Sequence, residues 1–172
     1  MDKENALFVT AMEISEKENK PVIKNIKSLE QKALELAQWI QSNNDFLIVS
    51  QNDCDAITAT AIVLKALERE GKNFDRIALK QLYESSIPEI QRALKEKKMK
   101  KMIFLDLGSG QMHHLKKSFE QSDFIVLDHH QQVEVGENVN ELNPFMHGVD
   151  GGSEISSSGL ATEYFNCLVT LN

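Results

Sequence analysis

Phe124-Ile125-Val126-Leu127-Asp128-His129-His130 joins four apolar, strand-favouring residues directly to three that titrate or bind metal. An unbroken apolar run of this length suits a strand buried on both faces, as in a parallel sheet. Asp128 then stands at the carboxyl end of the strand, where open α/β sheets place their ligands. The same construction occurs twice more upstream. Phe46-Leu47-Ile48-Val49 leads through Ser50 into Gln51-Asn52-Asp53-Cys54-Asp55, and Met102-Ile103-Phe104-Leu105 leads into Asp106. In a parallel sheet these ends share one edge, so Asp53, Asp55, Asp106, Asp128 and His129 are expected to converge. Such a cluster repels itself unless cations neutralise it. The expectation is a site for two divalent metals.

Between these strands the pattern changes to that of helices. Ile26, Leu29, Ala33, Leu36, Ala37 and Ile40 recur at the spacing of one helix face, and Asn43-Asn44-Asp45 ends that segment. Ala59, Ile62, Val63, Ala66 and Leu67 trace another face, closed by Gly71. Arg76–Leu82 reads as the second strand. Ser86 and Glu89 form a capping-box pair, with Pro88 in the first turn of the helix they open. A helix over Gln111–Phe119 precedes the Phe124 strand. Beyond Gln131 the signal weakens: Val139–Leu142 reads as a short strand and Gly148–Ser153 as a glycine-rich loop. Ser156-Ser157-Ser158-Gly159 opens a last helix running to Leu168. The alternation of strands and helices indicates an α/β fold, a doubly wound parallel sheet of about five strands. Residues 1–20 add an N-terminal helical arm.

The length of 172 residues suits one domain with a sizeable core. No apolar run approaches the roughly 20 residues that span a bilayer, and the start carries no basic segment leading an apolar one. Two cysteines, Cys54 and Cys167, support neither a disulfide framework nor a zinc spacing, so a reducing, cytoplasmic setting is expected. Charge is unevenly spread. All 19 Lys and Arg fall at or before Lys117, against 17 acidic residues there, and the remainder carries nine acidic residues and no basic one. The acidic remainder contains Asp128-His129-His130, which points to cation binding or a basic partner. It argues against this third of the chain gripping phosphates alone.

Each candidate has an ordinary structural reading beside the chemical one. Asp53 and Asp55 suit helix capping, but three strands ending in acids are hard to explain that way. A carboxylate can bridge two metals and imidazole suits Mn, Fe or Zn. Adjacent histidines past a strand end point apart, so His129 is read as a ligand and His130 as reaching a phosphate. His113-His114 reads as a solvated helix surface, as does the basic run from Arg92 to Lys101. Gly108 and Gly110, around Ser109, let backbone approach a ligand closely. Ser156 to Gly159 reads first as a helix cap, whose exposed N–H groups also suit phosphate.

Taken in order, Ser50-Gln51-Asn52-Asp53-Cys54-Asp55-Ala56, Asp106-Leu107-Gly108-Ser109-Gly110, Asp128-His129-His130 and Ser156-Ser157-Ser158-Gly159 resemble successive motifs of the DHH phosphoesterases. The RecJ-like branch, which includes archaeal GINS-associated nucleases, is the nearest resemblance. It covers roughly residues 46–165 and implies a single DHH-type domain over 1–172, with the arm at 1–43 and the α/β core at 46–172. It implies two Mn2+ or Mg2+ ions held by Asp53, Asp55, Asp106 and His129, with Asp106 bridging and Gln51 in a further ligand slot. Asp106, Asp128 and His130 take catalytic roles, and Gly108, Ser109, Ser157, Ser158 and Gly159 serve phosphate. The chain departs from the family pattern in three places. Gln51 stands where a histidine or aspartate is usual, Ala56 replaces a glycine, and the chain ends before the fourth motif and the substrate-gripping domain. A neutral amide is the weaker ligand, so one metal is expected to bind less tightly. The implied function is hydrolysis of phosphodiester bonds in single-stranded nucleic acid, in replication or repair. Two alternatives remain open: a catalytically degenerate scaffold in a GINS-type replication complex, and a hydrolase of small nucleotides or pyrophosphate.

Overall fold

In the computed structural model, residues 25–132 and 140–170 are described. The expected arm over residues 1–20 lies outside them. α1 (Ile26–Gln41) is followed by β1 (Phe46–Gln51), α2 (Cys54–Arg69), β2 (Phe74–Leu79), α3 (Ile87–Lys97) and β3 (Lys101–Leu105). Then come α4 (Met112–Ser118), β4 (Asp123–Leu127), β5 (Glu141–Leu142) and α5 (Ser157–Thr170). The five strands form one sheet in the order β2-β1-β3-β4-β5, and every pairing is parallel.

The alternation of side chains along each strand divides the core in two. Phe46, Ile48, Ile103, Leu105, Ile125 and Leu127 face α1, α2 and α5. Leu47, Val49, Met102, Phe104, Phe124 and Val126 face α3 and α4. All of these residues are buried, which is why the strand sequences are continuously apolar rather than alternating. Burying each such side chain contributes about 1.5–3 kcal/mol.

β2 begins and ends earlier than the Arg76–Leu82 expected from its pattern. Its register is set by β1, with Phe46 opposite Phe74 and Gln51 opposite Leu79, so pairing stops where β1 stops. Leu82 is still buried, reaching the core from the following turn. As an edge strand β2 is half exposed, which accounts for its weaker apolar signal. Ser86 does not build the expected capping box. Its hydroxyl donates to the Gln81 carbonyl and accepts from the Tyr83 N–H, leaving α3 with Pro88 in its first turn and no side-chain cap. Gly71 does follow the end of α2, where the Lys72 N–H closes the last turn on the Leu67 carbonyl.

The strand order reverses direction between β1 and β3, the two strands that both lead into carboxylates. Such a switch point opens a crevice at the carboxyl ends of the strands, because the flanking connections leave to opposite faces of the sheet. Among the described residues, no helix is long and apolar enough to cross a membrane.

Candidate metal centre

The crevice collects the expected acids. Asp106 follows β3 directly and continues the ladder, its N–H donating to the Leu127 carbonyl. Its backbone then turns sharply, at φ 60°, a left-handed conformation that Asp tolerates better than most residues. The residue is 1% exposed, yet neither carboxylate oxygen has a hydrogen-bond partner. Burial pushes its pKa up to about 6; the nearby Ser157 side chain opposes this, and the charges of Asp53, Asp55 and Asp128 push upward again. A buried carboxylate without donors is costly, and an octet-filled oxygen pair aimed into a polar crevice is what a cation would satisfy.

His129 stands opposite. Its Nδ1 lies 2.7 Å from the Gly151 carbonyl, which can only accept, so in the neutral ring Nδ1 carries the proton. Nε2 is thereby left with its lone pair toward the acids, 3.4 Å from Asp106 Oδ1 and 3.7 Å from Asp55 Oδ2. This orientation by a second hydrogen bond is typical of metal-ligating imidazoles. Gly151 is required here: a Cβ on it would sit 2.1 Å from the His129 carbonyl oxygen.

Asp128 has the same sequence setting as Asp106, at the end of a buried strand, but the opposite environment. Its Oδ2 accepts from the Ser109 N–H at 2.9 Å, and its Oδ1 from the His130 N–H and from His130 Nδ1 at 2.7 Å. Burial opposes ionisation, but these donors outweigh it and lower the pKa. In return the Asp128 bond raises the His130 pKa to about 9, so His130 is a cation at neutral pH. The two rings do not point apart as expected: their centroids are 4.6 Å from each other, and His130 Nδ1 also comes within 3.9 Å of Asp106 Oδ1. Ligand-type atoms of Asp106, His129 and His130 lie within 4.8 Å of one another.

Asp53 caps α2, accepting from the Ala56 N–H at 3.0 Å, so the ordinary reading of this residue also holds. Asp55 accepts from the Ser157 and Ser158 N–H groups at 2.8 and 3.0 Å. Burial raises its pKa, but the Ser158 side chain together with these backbone bonds prevails and the net shift is downward. The start of α5 thus meets a carboxylate of this same chain instead of standing open. Ser156 caps that helix, its Oγ accepting from the Gly159 N–H, while the buried Ser157 side chain lies near Asp106. Gln51 ends β1 with its amide donating weakly to the Lys80 carbonyl at 3.4 Å. Gly108, at φ 118°, holds a backbone that strains other residues, and a Cβ there would press on Val126 at 3.2 Å. Gln51, Asp106, Gly108, Asp128 and His130 together line an open pocket of about 260 Å³. A larger cleft, about 430 Å³, lies away from these residues between the ends of α3 and α4 and holds no such cluster.

Two contributors are not visible as chemistry in the sequence. Asn143, fully buried after β5, donates to the Ser109 hydroxyl and to the His130 carbonyl. The Gly151 carbonyl orients His129. Their signals are faint: Asn143-Pro144 reads as a helix start and Gly151 as part of a glycine-rich loop. Asp150, a carboxylate near this loop, is occupied by the Gly152 N–H and the Ser153 hydroxyl. His114 pairs with the exposed Glu84 on the surface, apart from the site.

The arrangement, carboxylates of graded burial around an imidazole nitrogen, has the hard-oxygen and nitrogen donor set that suits Mn2+ or Mg2+. The N-terminal domain model of the DHH family matches residues 45–170. An uncharacterized protein of Methanocaldococcus jannaschii is 32% identical over 146 residues, covering 81% of this chain and 33% of that protein. The single-stranded-DNA-specific exonuclease RecJ of Bacillus subtilis is 24% identical over 152 residues, covering 84% of this chain and 19% of RecJ. The chain thus spans no more than about a third of either relative. Among solved structures, exonuclease RecJ bound to manganese has a TM-score of 0.65 at 19% identity, over 83% of this chain and 37% of that one. CDC45 from Entamoeba histolytica has a TM-score of 0.61 at 15% identity, over 83% and 30%. These structural likenesses show a shared fold.

Proposed function

The chain belongs to the DHH family, and from that premise we propose that it is a RecJ-like phosphoesterase core acting with two divalent cations, Mn2+ or Mg2+. Its substrate is then a phosphodiester bond in single-stranded nucleic acid. One observation carries the reading: Asp106 is buried with both oxygens unpartnered, beside Asp53, Asp55 and the free Nε2 of His129. A carboxylate left in that state costs stability that a bound cation returns.

Asp106 would serve both cations, with Asp53, Asp55 and His129 completing their ligands and the Gln51 amide oxygen filling a weaker position. Bound cations of this kind supply a more acidic water and stabilise charge on the attacking and leaving oxygens. The chain's own groups do the rest. The His130 imidazolium, held by Asp128, presents positive charge at the pocket rim to a phosphate. Gly108 and Ser109 bring backbone close to the same pocket. Ser157 and Ser158, with Gly159 in the same turn, hold Asp55 through the helix start, so their part is to orient a ligand.

A second reading rests on Gln51. A neutral amide in a ligand position weakens one cation, and the fold is shared with CDC45 as well as with RecJ. Under this reading the chain is a non-catalytic subunit that docks in a replication complex of the GINS type. Hydrolysis of a short single-stranded DNA oligonucleotide in Mn2+, for the native chain, Gln51→His and Asp106→Ala, separates the two. Enzyme function requires cleavage that Asp106→Ala abolishes and Gln51→His raises. No cleavage in any variant, while Mn2+ still binds, would leave the scaffold reading standing and remove the first.

A further inference from the structure

The turns after β3 and β4 carry Asp106 and His129, and the exit of β5 reaches both of them. We infer that Asn143 is a positioning residue that clamps these segments together and so holds the cation ligands in register. The inference rests on the proposed cation site. The Asn143 side chain donates one N–H to the Ser109 hydroxyl at 2.8 Å and the other to the His130 carbonyl at 2.9 Å. Its Oδ1 accepts from the Phe145 N–H at 3.0 Å. Both donors are used and the residue is fully buried, so its geometry is determined on all sides.

The clamp is needed because of what it joins. Asp106 sits on one turn and Asp128 on the other, and their charges repel each other across the seam. The Ser109 N–H also crosses between these two turns, donating to Asp128. Asn143 doubles this connection on the Ser109 side and anchors the His130 peptide on the other. His129, the imidazole facing Asp106, lies between Asp128 and His130 in the chain, so a shift of the His130 peptide moves it. Partners that orient ligands in this manner typically matter by roughly 10–100-fold in metal affinity.

The test uses the whole chain and MnCl2 alone, with binding read by calorimetry. Asn143→Asp keeps the acceptor for Phe145 but replaces the donating group with an oxygen facing the His130 carbonyl. It also adds a negative charge, so a purely electrostatic role would make Mn2+ bind more tightly. Asn143→Ala removes both functions without a charge. Leu67→Ala, which opens the core on the other face of the sheet at the end of α2 away from Asp53 and Asp55, controls for lost stability. We expect both Asn143 variants to bind Mn2+ at least tenfold more weakly, with Leu67→Ala unchanged. Shifts of the Ser109 and His130 amide resonances should accompany the loss. Affinity within twofold of native in either folded Asn143 variant, or tighter binding by Asn143→Asp, overturns the inference. Should Asn143→Asp fail to fold, Asn143→Ala carries the same criterion. If neither folds, Asn143 is structural and the inference fails. Absence of Mn2+ binding by the native chain would instead refute the cation site itself.

Discussion

Replacing Asp106 by Asn should stabilise the metal-free protein while removing its response to metal. The carboxyl pKa is raised from 3.8 to about 6 by burial and by the neighbouring acids. The folded state therefore holds this proton more tightly than the unfolded chain does. The contribution of this proton to stability is complete below about 3.8, falls as pH rises, and is gone above about 6. A difference of this size corresponds to about 3 kcal/mol against folding at pH 8, by the relation of about 1.4 kcal/mol per pH unit. Asparagine tolerates the left-handed backbone of this position and carries no charge. Asparagine keeps an oxygen for the nearby Ser157 side chain, and its amide N–H groups face carboxylates and the His129 Nε2. In chelator near pH 8, the Asp106→Asn midpoint should rise by roughly 6–12 °C for a chain of this length. The gain should shrink as pH drops toward about 4. Millimolar Mn2+ should then raise the native midpoint and leave that of Asp106→Asn unmoved. A variant less stable than native in chelator near pH 8, or stabilised by Mn2+ as much as native, would refute the reasoning.

The His130–Asp128 pair carries a pH dependence of the same sign in a higher window. Its contribution is complete below the ordinary histidine value of 6.5 and is lost as pH rises through about 9. Urea unfolding in chelator should therefore find His130→Gln less stable than native near pH 6 and equal to it near pH 10. A constant difference across that range would remove the pairing from the account. Gly151→Ala forces a methyl group against the His129 carbonyl, so it should cost about 1–3 kcal/mol and weaken Mn2+ binding together. Unchanged affinity in a destabilised but folded variant would show that His129 does not depend on this loop.

The sequence by itself determined the sheet, its parallel sense and the place of the acids along its edge. Four-residue apolar runs at Phe46, Met102 and Phe124 admit burial on both faces, and each run ends in a polar loop carrying a carboxylate. Local rules were weaker where context competes: β2 takes its limits from β1, and the Ser86 hydroxyl turns to a nearby carbonyl instead of capping α3. What only the tertiary structure decided is which carboxylate is satisfied. Leu105-Asp106 and Leu127-Asp128 are the same two residues at the same strand end, yet one aspartate has no donor and the other has three. The difference lies in contacts that no local pattern encodes: Ser109 meets Asp128 across 19 residues, Asp55 meets Ser157 across 102, and His129 meets Gly151 across 22. Burial and hydrogen-bond partners come from the crossing of distant segments, and they alone separate an aspartate that holds a histidine from one left open to a cation.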